Sequence, residues 1–206
     1  CPRPSDLRRA ASLLQEASRP LIHVGSGVIH AQAFAQVATL AEQLGAPITT
    51  SWAARAALDE RHPLAVPMIY LDAVKKARNE ADVVLVLGSR LGETDWWGKG
   101  PYWAPAGEQR VIQVDLDAET IGNIRPVEVP VQADVGEFLT ELSPIVGHPE
   151  IPRARLKWTE SLTKAVTKRR KQLDKHLSKT GIPMHPAHVP VTCREVFDDD
   201  AILVVD

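Results

Sequence analysis

The chain has 206 residues, of which 44% are hydrophobic, 24% charged and 5% aromatic, and its formal net charge is −2. These values are typical of globular domains and exclude disordered, collagen-like and other fibrous proteins. No apolar run reaches the about 18 residues of a membrane span, and Cys1 and Cys193 have the spacing of neither a disulfide framework nor a metal site. We therefore expect a protein of the reducing cytoplasm with no membrane partner.

Segments with helical periodicity alternate with other elements through the first 146 residues. The first helix is predicted to begin near Pro4, with Ser5 as its N-cap. A second helix has Phe34 on its predicted inward face and a glycine, Gly45, at its C-cap. Asp72 is the predicted N-cap of a third helix. Asp134 is the predicted N-cap of the last one, in a variant of the capping box.

Short apolar segments between these helices are predicted to be strands. They cover residues 21–24, 47–50, 83–87, 111–114 and 128–131. The last of them contains a proline, which favours a position near a sheet edge. Strands that alternate with helices at this spacing predict an α/β fold. The expected architecture is a doubly wound, mainly parallel sheet of about five to six strands with helices on both faces, which is a Rossmann-like nucleotide-binding fold.

In a doubly wound sheet, ligands bind beyond the carboxyl ends of the strands. The first such loop is Gly25-Ser26-Gly27, which follows a predicted strand and opens a helix. Paired glycines let backbone amides approach a phosphate, although a tight turn that needs glycine explains them equally well. His30 stands where the dinucleotide fingerprint has its third glycine, and the second strand ends at Thr50 with no acidic residue. A conventional NAD site is therefore not predicted.

Two further loops follow predicted strands. Gly88-Ser89-Arg90 comes after the most apolar strand, and Arg90 is a candidate partner for a pyrophosphate or for a carboxylate of the protein itself. Asp115 ends the fourth predicted strand. Its carboxylate is placed either to accept hydrogen bonds from a ribose or to cap the turn that follows.

Other conspicuous residues carry no catalytic pattern. His23, His30 and His62 have no metal-ligand spacing and are interpreted as ordinary core or surface histidines. The loop 96–103 contains three tryptophans and forms either an interface or substrate-side lip or a segment that folds back onto its own domain. We find no Ser/His/Asp set, no paired carboxylates and no metal cluster in the sequence.

Residues 153–179 form a strongly basic segment, with ten Lys or Arg and two Asp or Glu. Its apolar residues lie roughly on one helical face and are Leu156, Leu162, Val166, Leu173 and Leu177. A helix that binds nucleic acid is one interpretation, and a solvated linker helix that docks one apolar stripe is the other. No interleaved aromatic residues support the first, so the linker is favoured and no nucleic-acid partner is expected.

The combined set of segments resembles the central domain of thiamine diphosphate-dependent enzymes of the acetolactate synthase, pyruvate oxidase and oxalyl-CoA decarboxylase type. The matching segments are 19–27, 44–50, 81–92, 111–117 and 131–134. The resemblance covers about residues 5–146 and implies a nucleotide-binding-like domain over 1–146. It implies a basic linker helix over 147–183 and the start of a diphosphate-binding domain over 184–206, where a helix leads into a strand at 201–206. We expect the chain to be part of a longer protein.

For that longer protein, the resemblance implies an enzyme that cleaves or forms C–C bonds next to a carbonyl. It would be a 2-oxo acid decarboxylase, an acetolactate synthase-like enzyme or an acyl-CoA lyase, acting on a 2-oxo acid or an acyl-CoA. Thiamine diphosphate and Mg²⁺ would be bound mainly by the flanking domains, and the enzyme would be a homodimer or homotetramer. The present chain would hold no catalytic residue.

The resemblance also implies a nucleotide, FAD or ADP, in this domain. The matching positions for its contacts are Gly25, Ser26, Gly27, Thr50, Gly88, Ser89, Arg90, Asp115 and Asp134. Residues 62–68 lack the glycine- and methionine-rich stretch of many flavin binders, and residues 91–100 resemble the acyl-CoA lyase branch instead. The alternative to a domain of a larger enzyme is a free-standing FAD- or ADP-binding module of the same fold.

Overall fold

The computed structural model describes residues 1–148, 150–178, 181–198, 200–202 and 204. They form two compact units, Cys1–Val166 and Thr167–Asp206. The elements in chain order are α1 (Pro4–Glu16), β1 (Pro20–Val24), α2 (Ser26–His30), α3 (Phe34–Leu44), β2 (Ile48–Thr50), α4 (Leu71–Glu80), β3 (Val83–Leu87), β4 (Arg110–Asp115), β5 (Val129–Gln132), α5 (Val135–Val146), α6 (Arg153–Leu177) and α7 (His188–Val196). Short 3-10 turns cover Trp52–Ala57 and Glu93–Gly98.

Five parallel strands form a single sheet in the order β2-β1-β3-β4-β5. The chain moves outward from β1 to β2, returns to place β3 on the other side of β1, and then continues to β5 at the opposite edge. This reversal makes the sheet doubly wound, with its switch point between β1 and β3. The predicted fold class is confirmed, including the edge position of the proline-containing strand.

The sheet is covered on both faces, which explains why its central strand is uniformly apolar. Alternate residues of β3 point to opposite sides, because side chains alternate along a strand. Val83, Leu85 and Leu87 join a core with α1, α3 and α5. Val84 and Val86 join a second core with α4 and the first part of α6.

Two predicted caps are confirmed by the structure. Gly45 ends α3 in the left-handed conformation, at φ +59°. Asp134 is the N-cap of α5, and its Oδ1 accepts a hydrogen bond of 3.1 Å from the Glu137 amide.

Three helix predictions are wrong in detail. Ser5 lies inside α1, which begins at Pro4 after Arg3, because proline suits a position where no amide donor is needed. Asp72 is the second residue of α4, whose N-cap is Tyr70. Phe34 is 38% exposed, since it begins α3 and the buried stripe of that helix starts one turn later.

The apolar stripe of α6 differs from the predicted one. Leu162 and Val166 are buried as expected, whereas Leu156 is 45% exposed. The inward positions one and two turns before Leu162 are occupied by Trp158 and Arg155, and Arg155 is 1% exposed. The stripe therefore continues along the 155, 158, 162, 166 direction of the helix.

In the second unit, Leu173 is 38% exposed and α7 has no buried residue. The strand predicted over 201–206 falls partly on residues 203, 205 and 206, outside the described part of the chain. Residues 201, 202 and 204 are not in a strand. No helix in the described ranges is both long and apolar enough to cross a bilayer.

Candidate ligand-binding site

A cavity of about 750 Å³ opens beyond the carboxyl ends of β1, β3 and β4. Seven of the nine residues predicted to contact a nucleotide line it, namely Ser26, Gly27, Gly88, Ser89, Arg90, Asp115 and Asp134. Their loops follow different strands, and the parallel sheet brings them together at one edge. The volume is within the range of small-molecule and cofactor sites.

The glycine loops after β1 and β3 pack directly against each other at the base of the cavity. The amide of Gly27 donates a hydrogen bond of 3.0 Å to the carbonyl of Gly88, and the Gly25 amide donates one of 2.8 Å to Leu87. A Cβ on Gly27 would lie 2.7 Å from the Gly88 Cα, and a Cβ on Gly88, at φ +56°, would lie 2.6 Å from the Gly27 Cα. The contact between the two loops therefore requires glycine at positions 27 and 88. The amides of Gly25 and Gly27 already donate hydrogen bonds within the protein.

The other two predicted residues do not line this cavity. Gly25 is buried behind it, and a Cβ there would lie 2.2 Å from the Gly88 carbonyl oxygen. Thr50 ends β2 and borders a separate groove beside Arg55 and Leu58. The next residue, Ser51, lines the cavity instead.

Arg90 is exposed on the cavity wall. Among the described residues, no carboxylate forms an ion pair with its guanidinium, so the pair with a protein carboxylate that the sequence left open is not formed. The Arg90 side chain passes over Gly92, where a Cβ would lie 3.3 Å from the Arg90 Nε. The cation is therefore available to a ligand in the cavity.

The carboxylates of Asp115 and Asp134, which follow β4 and β5, each have one oxygen in a local turn. Asp115 Oδ1 accepts a hydrogen bond of 3.1 Å from the Asp117 amide, which is the turn-capping role considered for it. Asp134 Oδ1 caps α5 through Glu137. Both side chains are partly exposed and line the cavity. The cavity lining thus contains a cationic group, Arg90, at the end of β3 and carboxylates beyond the ends of β4 and β5.

A buried polar network adjoins the cavity and was not predicted. At its centre is Asp95, which is 1% exposed and lines the cavity. Its Oδ1 accepts a hydrogen bond of 3.0 Å from Arg78, and its Oδ2 accepts one of 3.2 Å from the Ser89 hydroxyl. Its backbone carbonyl accepts one of 2.9 Å from the indole of Trp103.

His23 completes this network from β1. Its Nε2 lies 3.1 Å from Asp95 Oδ2 and its Nδ1 lies 3.1 Å from the Thr49 hydroxyl. It is a fully buried core residue, as interpreted from the sequence, and it also contacts Trp103 edge-to-face at 5.3 Å between ring centroids. Of the other two histidines considered in the sequence, His30 is exposed on the cavity rim and His62 is partly exposed beside Glu42.

Burial and neighbouring charges shift the pKa values of this network. Burial lowers the pKa of His23 below its ordinary value, which keeps the ring neutral near pH 7. Burial by itself would raise the pKa of Asp95, but His23, Arg78 and Ser89 together lower it to about 2. Burial also lowers the pKa of Arg78 to about 10, against the opposing effect of Asp95. The network at neutral pH is therefore one buried ion pair and a neutral imidazole.

The tryptophan loop folds back onto its own domain for the most part. Trp103 is 2% exposed, and Trp96 stacks on Tyr102 at 4.1 Å between ring centroids. Trp97 is 47% exposed, and it follows Trp96 in the left-handed backbone region, at φ +48° and +52°. Such conformations are strained for bulky residues, so the surrounding packing must hold them in place.

The sequence indicates only some members of the buried network around Asp95. Arg78 falls on the inward stripe of α4 with Val74 and Ala77, and His23 lies within a fully buried strand. A charged residue at such positions requires a buried partner. Which carboxylate meets Arg78 depends on the irregular turn at Glu93–Gly98, whose path no periodicity predicts.

The strand order and the position of the cavity define a doubly wound α/β domain with a cavity at its switch point, where domains of this class bind ligands. The chain matches the family model described as "Thiamine pyrophosphate enzyme, central domain" over residues 7–142. It belongs to this family.

Relatives with assigned activities agree with this membership. Acetolactate synthase isozyme 1 large subunit of Escherichia coli is 35% identical over 143 residues, which cover 68% of this chain and 25% of that protein. Sulfoacetaldehyde acetyltransferase of Rhodobacter capsulatus is 41% identical over 144 residues, covering 66% of this chain and 24% of that protein. The chain thus spans about a quarter of the length of these relatives.

A solved structure shares the fold. A protein from Mycobacterium smegmatis, assigned to the thiamin diphosphate-dependent enzymes, superposes with a TM-score of 0.59 at 26% sequence identity. The match covers 73% of this chain and 29% of that protein. Within the described residues, no group of three or more His, Cys, Asp or Glu is arranged to hold a metal ion.

Proposed function

We propose that this chain is the central domain of a larger thiamine diphosphate-dependent enzyme that cleaves or forms a C–C bond next to a carbonyl. The observation that carries the proposal is the family match over residues 7–142, in relatives about four times as long as the aligned region. It supports a domain of a larger enzyme over a free-standing nucleotide-binding module. The substrate would be a 2-oxo acid or an acyl-CoA.

In this proposal thiamine diphosphate and Mg²⁺ are held mainly by domains outside this chain. When bound there, thiamine diphosphate would supply a carbon nucleophile for chemistry at a carbonyl. The residues of this chain hold a ligand beside that chemistry and connect the flanking domains, and the assembled enzyme would be a homodimer or homotetramer in the cytoplasm.

The coding sequence around these residues gives the first test. We expect the reading frame to extend on both sides and to contain a Gly-Asp-Gly motif about 30 residues beyond position 206. The complete protein, supplied with Mg²⁺ and pyruvate, should convert the 2-oxo acid only when thiamine diphosphate is added. An extended frame without the motif, or no thiamine-dependent turnover of pyruvate, other 2-oxo acids or acyl-CoA esters, would contradict the proposal.

We further propose that the cavity binds the ADP portion common to ADP and FAD. Arg90 supplies the cation for the diphosphate, and Ser26 lines the same cavity. Asp115 and Asp134, which also line the cavity, are the acceptors for the ribose hydroxyls. The diphosphate would then lie at the loops after β1 and β3, and the ribose at the loops after β4 and β5.

Calorimetric titration of the 206-residue chain with ADP and with FAD tests this binding. We expect R90Q to weaken binding of the ligand by about tenfold or more, because a charge-assisted hydrogen bond to phosphate is lost. The matched control is R61Q, since Arg61 is exposed and pairs with Asp59 outside the cavity. Absence of binding by both nucleotides, or equal affinity of R90Q and wild type, would refute the assignment.

A further inference from the structure

The segment after β3 turns back on itself so that a buried carboxylate supports the exposed cation of the cavity. Arg90 is exposed, whereas its neighbours Ser89 and Leu91 are buried. The Ser89 hydroxyl donates to Asp95 Oδ2 at 3.2 Å and accepts from the Leu91 amide at 3.1 Å. Both residues that flank Arg90 are therefore fixed by a single hydroxyl group, and that hydroxyl is fixed by Asp95.

Asp95 is itself held by elements that lie outside the loop. Arg78 belongs to α4 and His23 to β1, and both lie within 3.1 Å of its carboxylate. The indole of Trp103 binds its backbone carbonyl. The carboxylate thus connects the loop rigidly to a helix and to the central part of the sheet.

Arg90 has no comparable support of its own. Its guanidinium forms no ion pair among the described residues, and its side chain lies over Gly92, which has no side chain to hold it. Leu91 has a left-handed backbone, at φ +53°, which bulky residues adopt only when their surroundings impose it. The direction of the Arg90 side chain is therefore set by the turn that Ser89 and Asp95 hold.

We infer that Asp95 is a positioning residue for ligand binding, which acts through Ser89 to present Arg90 to the cavity. The inference rests on the proposed binding of an ADP moiety by Arg90. Asp95 is an acid that favours binding of an anionic ligand, which is opposite to the effect of its charge alone. Removing the negative charge of Asp95 should strengthen binding of an anion if only its charge matters, and should weaken that binding if Asp95 positions Arg90.

The test compares D95N with E93Q by calorimetric titration of ADP. Both replace an acid that lines the cavity within the same turn, but Glu93 is exposed and lies outside the network. Loss of a negative charge near a phosphate should strengthen binding slightly or leave it unchanged, as we expect for E93Q. We expect D95N to weaken ADP binding by about fivefold or more. Equal or tighter binding by D95N would overturn the inference.

A double-mutant cycle distinguishes positioning from a general loss of structure. If Asp95 acts through Arg90, D95N should cause no further loss of ADP affinity in an R90Q background. An equal loss in both backgrounds would overturn the inference. If D95N fails to fold, S89A takes its place, because it keeps the Arg78–Asp95 ion pair and removes only the connecting hydroxyl.

Trypsin cleavage after Arg90 tests the same inference without any nucleotide. We expect D95N and S89A to accelerate cleavage at this bond by about threefold or more relative to cleavage after Arg61, because the turn is released. E93Q should not change this ratio. Failure of wild type to bind ADP would contradict the proposed site alone, whereas unchanged cleavage in both D95N and S89A would contradict the positioning role.

Discussion

At the scale of single residues, Arg78 is buried beside the cavity with one carboxylate partner. Its Nη2 donates to Asp95, and its guanidinium lies 4.5 Å from the ring centroid of Trp103 and 5.4 Å from that of Trp96. Its Nε and Nη1 have no hydrogen-bond partner in the described part of the chain. Aromatic faces attract a cation but do not replace the hydrogen bonds of water, so the pair with Asp95 is the dominant compensation.

Removing this cation should destabilise the domain strongly. R78M leaves the Asp95 carboxylate buried without its ion pair, and we expect the free energy of unfolding to fall by about 3–5 kcal/mol. Urea denaturation of the 206-residue chain measures the change. R90M is the control at an exposed position and should keep wild-type stability. A loss below about 1 kcal/mol in R78M would show that the pair contributes little.

His23 should make stability depend on pH. Its folded pKa lies below its unfolded value of about 6.5, so in the window below 6.5 and above the folded pKa the unfolded chain binds a proton that the folded chain refuses. The free energy of unfolding should therefore decrease as pH falls through this window, by up to about 1.4 kcal/mol per pH unit.

Urea denaturation between pH 5 and pH 7, about the range in which histidine titrates, tests this dependence on H23N and H30N. H23N should lose this part of the slope, whereas H30N, changed at an exposed residue, should keep it. Parallel slopes for wild type and H23N would exclude His23 as the source.

At the scale of elements, the first part of α6 is attached to the ends of two other helices by one side chain. Arg155 donates 2.8 Å to the Leu44 carbonyl at the end of α3. It also donates to carbonyls at the end of α1, at 3.2 Å to Leu14, at 3.1 Å to Gln15, and to Ala17. These carbonyls have no partner within their helices, and their negative dipole ends favour a cation.

Loss of this attachment should be costly. We expect R155M to lower the free energy of unfolding by about 3 kcal/mol, because hydrogen bonds from a charged group to buried carbonyls are removed. R155K should recover only part of that loss, since an ammonium cannot reproduce the planar fork of a guanidinium. R153M changes an exposed residue at the start of α6 and is the control. Equal stability of R155M and R153M in urea denaturation would contradict this role.

The elements themselves were predictable because each has a repeating pattern. The five strands were predicted to within one residue at either end, since short apolar segments between helices fix them. Ser5 and Asp72 were misassigned as caps because the cap is the residue at which the backbone enters the helix. Pro4 begins α1 after Arg3, and α4 begins after Tyr70, so both predicted caps lie inside their helices. The cavity could be located from strand ends, whereas Asp95 could not, because its turn has no period.

At the scale of the whole molecule, both hydrophobic cores lie within the first 166 residues. Trp158, Leu162 and Val166 belong to the core that contains α4, although they are part of the long basic helix. Residues Thr167–Asp206 form the second unit, and none of the residues that the structure describes in it belongs to either core. The central domain was predicted to end at residue 146, and the extent of the two cores gives an alternative boundary near residue 166.

A truncation series decides between these boundaries. We expect residues 1–166 to unfold with the stability of the first unit in the 206-residue chain. Residues 1–146 lack three buried apolar side chains and should be less stable by about 5–9 kcal/mol from these alone, at roughly 1.5–3 kcal/mol for each. Urea denaturation measures both. Equal stability of the two fragments would support the boundary at 146.

The contact between Gly27 and Gly88 limits how the cavity can change by mutation. A side chain on either residue would meet backbone atoms of the other, so the loss of one glycine cannot be compensated at its partner. Gly27 and Gly88, which form the floor of the cavity, therefore cannot be substituted. Rim residues such as Ala53, Glu93 and Leu116 are not restricted by this contact. Selection for a new ligand, in nature or in the laboratory, would have to act on the rim and leave the floor as it is.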